Sequence, residues 1–344
     1  MTPDRVREAF DFQSKACTDL GSPFMGRLMA LFATRDWPDG PVKGRILDWQ
    51  GDLGPRAQSV PLRLAGALHA LHLQGHARLC QAYPPQELFD DQLWEAVCAC
   101  LTEDHVAIDR WLDSPPQTNE VRRAATLIAL GHWLTDRYGL PIRTSELGAS
   151  GGLNLHWDSY GLEISNRQLG PEKPVLTLRP DWRGATPPET PPNVVDRAGV
   201  DLNPLDPGNS ADALRLQAYL WPDQPERLSL TRAAIGGATT KVMQADAIDW
   251  LAGRMDHVPG QLHLIYSTIA WQYFPAEKQK AGAAVIAAAG AQATEETPLA
   301  WFGMEQDGGN PGAALTLRLW PGDRTLQLAR IDFHGRWIDW AATD

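Results

Sequence analysis

The chain has 344 residues, 43% hydrophobic and 21% charged, a composition that supports one large globular domain or two ordinary ones. Its formal net charge is -11, and its 31 Lys and Arg residues are dispersed, with no run longer than Arg122-Arg123. A protein that grips a nucleic-acid backbone needs clustered cations, so a nucleic-acid partner is disfavoured.

The opening segment, MTPDRVREAF, carries acids and no apolar h-region, and the apolar run 281–291 is too short to span a bilayer. The expectation is a cytoplasmic protein with no membrane contact. The four cysteines, Cys17, Cys80, Cys98 and Cys100, form no C-x-x-C pair and read as buried free thiols.

From Val6 to about Leu134 the periodicity is helical. Residues 61–72 have apolar positions at helix spacing behind Pro61, and Leu93, Trp94, Val97, Ile108, Trp111 and Leu112 mark one or two further helices. The Gly/Pro-rich passage 37–61 reads as an ordered loop. Thr118 or Asn119 is placed to cap a helix that runs to Tyr138 and stops at Gly139 and Pro141.

Beyond that stop, short apolar, β-branched runs alternate with helical segments. Strands are expected at 142–147, 198–201, 241–245, 262–269 and 299–304, with helices near 212–220, 247–255 and 275–289. Residues 161–193 are rich in proline and read as an inserted hairpin and loop between the first two sheet strands. At the end, 315–320 and 325–331 flank Pro321-Gly322-Asp323-Arg324, the pattern of an antiparallel hairpin. The predicted architecture is a helical region over 1–115 followed by an α/β domain over 116–344. Its fold class is a Rossmann-like sheet of parallel strands ending in an antiparallel hairpin, as in methyltransferases that use S-adenosylmethionine (SAM). The polar stretch Arg143-Thr144-Ser145 is unusual for a buried parallel strand, which normally reads as a continuous apolar run.

The segment Glu146-Leu147-Gly148-Ala149-Ser150-Gly151-Gly152-Leu153-Asn154 carries two patterns. Gly148-x-Ser150-x-Gly152 is the nucleophile elbow of α/β-hydrolases, and Ser150, an Asp and His334 follow in the matching order. That elbow requires several preceding strands, whereas helices precede Ser150. Read instead as an acid followed by Gly148 and Gly152, the segment is a turn where a nucleoside cofactor approaches the backbone. Asp201, ending the second strand, can accept both ribose hydroxyls by the logic of dinucleotide folds. Asp246 ends the third, in position for an adenine amino group. The set expected to hold SAM is Glu146, Gly148, Ser150, Gly152, Asn154, Asp201, Asp246 and Ser267. Each strand-end acid is also an ordinary helix cap.

For chemistry, Tyr273 and His334 are the candidate catalytic groups, and Gln117, Asn119, Glu120, Trp271 and Gln272 the candidate substrate walls. His69, His72 and His76 share a helix face if the helix survives Gly75, but no nearby cysteine completes a set, so no metal is expected. The expected function is SAM-dependent transfer to a small molecule or protein; a non-catalytic nucleoside-binding or interaction protein is the alternative.

Several pieces carry a resemblance over nearly the whole chain: Gly21-Ser22-Pro23, Leu68-His69, Gln117 to Val121, Glu146 to Leu155, Asp201 to Asp206, Leu220 to Gln224, Trp271-Gln272-Tyr273 and His334-Gly335. By these the chain resembles the bacterial family called domain of unknown function 2332. The resemblance implies no particular reaction.

Overall fold

The computed structural model describes residues 4–55 and 57–341. The chain divides into two compact units: residues 1–118 with 209–229, and residues 119–208 with 230–344.

The first unit is helical: α1 (Asp4–Asp19), α2 (Pro23–Thr34), α3 (Pro41–Leu47), α4 (Val60–Leu73), α5 (Ala77–Cys80), α6 (Asp90–Glu103) and α7 (His105–Leu112). Ser22 accepts the Met25 N–H and Pro23 follows it, so α2 starts with both of the usual signals. Helix α3 lies inside the passage read as a loop; Pro41 in its first turn supplies the preset φ that starts it. The core joins Phe10, Phe32, Leu64, Leu68, Val97 and Trp221.

The second unit begins with a 3-10 turn, Val121–Arg123, and α8 (Ala124–Tyr138), which ends at Gly139 in the left-handed region. Neither Thr118 nor Asn119 caps this segment. Glu120 does so, its side chain accepting the Arg122 N–H. There follow β1 (Ile142–Leu147), β2 (Gly161–Ile164), β3 (Arg167–Leu169), β4 (Thr177–Leu178), β5 (Asp181–Gly184) and β6 (Val194–Asp201). Helix α9 (Ser210–Ala218) belongs to the first unit, and the division between units falls inside α10 (Pro225–Gly237). The remaining elements are β7 (Met243–Gln244), α11 (Ala247–Ala252), β8 (Leu262–Thr268), α12 (Ala276–Gly290), β9 (Leu299–Glu305), β10 (Ala313–Trp320), β11 (Arg324–Ile331) and β12 (Trp337–Trp340).

Nine strands form one mixed, mostly parallel sheet in the order β5-β12-β11-β10-β9-β8-β1-β6-β7. The run β9-β8-β1-β6-β7 is parallel throughout, and β9 to β12 meander antiparallel. The sheet therefore continues past the expected hairpin through β12, to which the short β5 pairs in parallel. Strands β3-β2-β4 make a separate small sheet within the insertion. Strand β7 is two exposed residues rather than the expected five.

Every residue of β1 is buried, including its polar stretch. Alternation sends Arg143 and Ser145 to one face, where Arg143 binds Asp196 and Asp256, and Arg254 donates to both Ser145 and Asp196. His263 completes the group at 2.8 Å from the Ser145 hydroxyl. Burial, reinforced by the two guanidiniums, pushes this imidazole down to about 3 and keeps it neutral. A strand half polar in sequence is thus buried through a satisfied network.

On the opposite face, α8 packs over Leu264, Tyr266, Phe302 and Leu317, with Trp157 among them. Gly131, in the middle of α8, lies against the Trp157 ring so closely that a Cβ there would overlap it. Helix propensity alone favours Ala over Gly by about 1 kcal/mol. Gly131→Ala is nevertheless expected to destabilise the protein by about 1–3 kcal/mol through overpacking. Adding Trp157→Phe should recover part of that loss, read as a urea-melt coupling between the two changes; purely additive effects would contradict the contact.

Candidate functional site

Strand β1 is flanked by parallel neighbours on both sides, β6 and β8, so the connections leaving its carboxyl end diverge there. In open parallel sheets this switch point is where a crevice opens. A cleft of about 110 Å³ lies here, lined by Gly148, Asp201, Leu202, Asp246, Ala247, Ile248, Phe274, Pro275 and Lys278.

The turn after β1 is held by the chain itself. Gly148, Ser150 and Gly152 all have positive φ. A Cβ on Gly148 would stand 2.5 Å from the Ala270 Cβ, so glycine is required both by conformation and by the close passage of the chain after β8. The Ser150 N–H donates to Asp201 Oδ2 at 2.9 Å, and the Asn203 N–H donates to Oδ1 at 2.9 Å. A carboxylate has roughly four lone-pair sites, so about two remain for a ligand. Asp246 caps α11, accepting the Ile248 and Asp249 N–H groups, and pairs with Lys278 at 3.0 Å. Partial burial works against its charge, but Lys278 and the two N–H donors outweigh it and hold the carboxyl below its usual range.

Glu146 does not line this cleft. It points to the α8 face, 1% exposed, opposite Tyr266 in the strand register, and accepts the Tyr266 hydroxyl at 3.3 Å. Tyr266 also reaches the Asn154 carbonyl at 3.2 Å, and Asn154 Nδ2 donates to the Glu120 carbonyl. Asn119 Oδ1 accepts the Leu153 N–H. Asn119, Glu120, Glu146 and Asn154 thus form a buried polar layer beneath the glycine turn. Ser150 Oγ and Asn154 Oδ1 are buried there without a hydrogen-bond partner. With no imidazole at Ser150 Oγ, the elbow pattern lacks its base.

A second cleft, about 350 Å³, is lined by Ser267, Trp271, Trp301, Glu305, Thr316, Arg318 and neighbours. Glu305, at the end of β9, accepts the Ser267 hydroxyl at 2.8 Å and the N–H groups of Ala270, Trp271 and Gln272. It clamps the turn after β8. Ile269 in that turn has φ 55, a left-handed conformation rare for a β-branched residue. Gln272 points its side chain to the Gln306 N–H.

The nominated residues therefore separate. Gly148, Asp201 and Asp246 share the first cleft, and Ser267 and Trp271 share the second. Tyr273 is 65% exposed and lines neither, nor does His334, half-buried in the β11–β12 turn with its N–H on Asp332. Gln117 lies at the end of the first unit, half-buried. Leu202, Phe274 and Lys278 in the first cleft and Glu305 in the second lie outside the set that the sequence singles out. Only Glu305 had a readable signal, an acid ending a strand, which the expected boundary at Met304 cut off.

Burial pushes the Glu146 carboxyl up to about 8, with the negative Asp201 adding to it and Tyr266 and Arg123 opposing. Its folded value exceeds its ordinary 4.5, so the stability it confers is fully present below about pH 4.5 and is lost as the pH rises through about 8. Glu146→Gln, which keeps the shape and an acceptor, removes that penalty. Urea midpoints measured from about pH 5 to about pH 9 should show the variant gaining on the wild type by on the order of 3 kcal/mol. Parallel pH profiles would contradict the buried neutral acid.

Among the described residues no helix is long and apolar enough to cross a membrane. No curated protein and no solved structure matches the chain. The family model described as an uncharacterized protein conserved in bacteria, DUF2332, matches residues 7–340. With nearly its whole length matched, the chain belongs to the bacterial family DUF2332.

Proposed function

We propose that the second unit binds SAM, or a nucleoside of that kind, at the cleft beside β1, and that the protein is a SAM-dependent methyltransferase-like enzyme. One observation carries the reading: Gly148, Asp201 and Asp246, far apart in sequence, line a single cleft at the switch point of a parallel sheet. The glycines alone carry little, because packing and φ already demand them.

The fit is partial. The cleft of about 110 Å³ is below the roughly 300–1,000 Å³ of ligand pockets, so it suits the nucleoside portion, with the remainder over the open side. Asp201 retains acceptor capacity for ribose hydroxyls. Leu202, 64% exposed, and Phe274 offer apolar surface for a base, and Asp246 offers an acceptor beside it. When bound, SAM would supply a methyl group on a sulfonium, already a good leaving group. The chain's work is then to align an acceptor and exclude water. The second cleft, with Trp271 and Trp301 as walls, is the place for an acceptor.

A binding protein without transfer is the second reading. What favours it is that Tyr273 and His334, the two groups suited to proton transfer, lie outside both clefts.

Equilibrium dialysis with labelled SAM tests the binding common to both readings. Leu202→Arg fills the cleft from an exposed position and should leave the melting temperature unchanged while weakening SAM by at least about tenfold, 1.4 kcal/mol. Asp201→Ala should lose both SAM binding and thermal stability, since its carboxylate also holds two loops. No SAM retention by the wild-type chain, or equal retention by Leu202→Arg, would remove the proposal.

A further inference from the structure

A cluster in the helical unit lies outside both clefts. His76 Nδ1 stands 3.9 Å from Cys100 Sγ, and His76 Nε2 stands 3.0 Å from Asp104 Oδ2. The ligand atoms of the three side chains all lie within 4.8 Å of one another. We propose that His76, Cys100 and Asp104 form a binding site for a single divalent cation of the zinc class.

The placement is rigid. Cys100 and Asp104 are four residues apart at the end of α6, hence on one face, and His76 sits immediately before α5. His76 is off α4: that helix ends at Leu73, and Gly75 in the left-handed region turns the chain away. His69 and His72 do not join it. His69 Nδ1 faces the Ala218 carbonyl, and His72 lies between the His69 and Tyr83 rings.

Two features point to a ligand rather than a purely structural contact. Asp104 holds the N-cap position of α7, yet its carboxylate caps no backbone N–H there and turns toward His76 and Cys100 instead. An Asp at an N-cap normally contributes about 1 kcal/mol by that bond, which is here forgone. Asp104 Oδ2 is also sealed from solvent and lies 3.0 Å from His76 Nε2 without hydrogen-bond alignment.

A cysteine nucleophile driven by the same histidine is the competing use of these groups. Cys100 is fully buried, which keeps organic electrophiles, far larger than a single ion, from its sulfur. His76 and Asp104, about a quarter exposed, form the solvent side of the cluster.

One thiolate, one imidazole nitrogen and one carboxylate oxygen make a donor set suited to zinc, with bonds of about 2.0–2.3 Å. Tetrahedral bonds of that length put ligand atoms roughly 3.3–3.8 Å apart, so the three groups need only a small contraction and a turn of the imidazole. Binding releases the thiol proton to solvent, and water fills the fourth position.

The test uses the full-length protein with Zn²⁺ and Co²⁺ as probes. Calorimetry should find one Zn²⁺ per chain, and Co²⁺ should give a thiolate charge-transfer band with the intense visible bands of a tetrahedral ion. Cys100→Ser should abolish the band and weaken Zn²⁺ at least about 100-fold, at or beyond the loss seen for outer-shell partners. Asp104→Asn, which breaks no cap, should weaken it about tenfold or more. Cys80→Ser removes the exposed thiol of α5 and should leave binding intact. The absence of a thiolate band in the wild type, or Zn²⁺ binding undiminished in Cys100→Ser, overturns the proposal. Should Cys100→Ser fail to fold, the wild-type cobalt spectrum and Asp104→Asn still decide it.

Discussion

The carboxylate of Asp201 takes one backbone N–H from the turn after β1 and another from the loop after β6, a double grip on the two segments that border the first cleft. Two adjacent parallel strands end side by side at this point, where the Gly148 and Ala149 N–H groups meet the Val200 carbonyl and the Leu205 N–H meets the Ser150 carbonyl at 3.3 Å. Charge-assisted bonds contribute about 1.5–3 kcal/mol each, and toward the lower figure for a partly exposed group. That is enough to hold Ser150 in its left-handed conformation, which costs on the order of 1–3 kcal/mol in a non-glycine residue. The residue proposed above to receive a ribose is thus also one that shapes the cleft, and the proposed role would draw on lone pairs that the two N–H groups leave.

The turn after β8 follows the same plan with a different acid. Ile269 is held left-handed, its N–H on the Met304 carbonyl at 2.7 Å, while Glu305 gathers the next three N–H groups and the Ser267 hydroxyl. Burial raises the Glu305 carboxyl, and these donors work against that rise. Ala270, pinned in this turn, is the residue that Gly148 must avoid. Arg123 reinforces the arrangement from the α8 side, donating to the Thr268 and Phe333 carbonyls. The edge of the first cleft is therefore set in part by an acid three strands away from Asp201, through the turn that its carboxylate holds.

How far the sequence reveals this depends on where each signal resides. The strands β1, β8 and β9 and the β10–β11 hairpin are legible because their patterns are local. Strand β1 has its expected bounds despite its polar stretch; what the sequence does not contain is the partner set Asp196, Arg254, Asp256 and His263, which comes from up to about 120 residues away. Strand β5, Asp-Trp-Arg-Gly, is short, largely exposed and formed only by pairing with β12, so no periodicity announces it. Helix α10 has no apolar stripe to read, and α3 is seven residues long between glycine and proline signals. The strand-end rule picks out Asp201 and Asp246, both of which line the first cleft. The same rule misdirects Glu146, because alternation decides which face an end residue takes, and β1 turns that carboxyl under α8. Lys278 and Phe274 enter the first cleft through tertiary folding and leave no mark at short range.

The two clefts are joined by aromatic contact. Phe274 lines the first, Trp271 and Trp301 line the second, and Trp271 meets Phe274 at 5.5 Å and Trp301 at 5.2 Å between ring centroids. Trp271 is also fixed through its backbone, its N–H on Glu305 and its carbonyl on Gln279. On the function proposed above, a donor in the first cleft and an acceptor in the second would meet only across this wall. Trp271 would then stand between the two, its ring packed against Phe274 and Trp301 and its backbone clamped. The same Glu305 carboxylate that fixes the Trp271 N–H also fixes those of Ala270 and Gln272, so the wall between the clefts and the turn that meets Gly148 are held by one side chain.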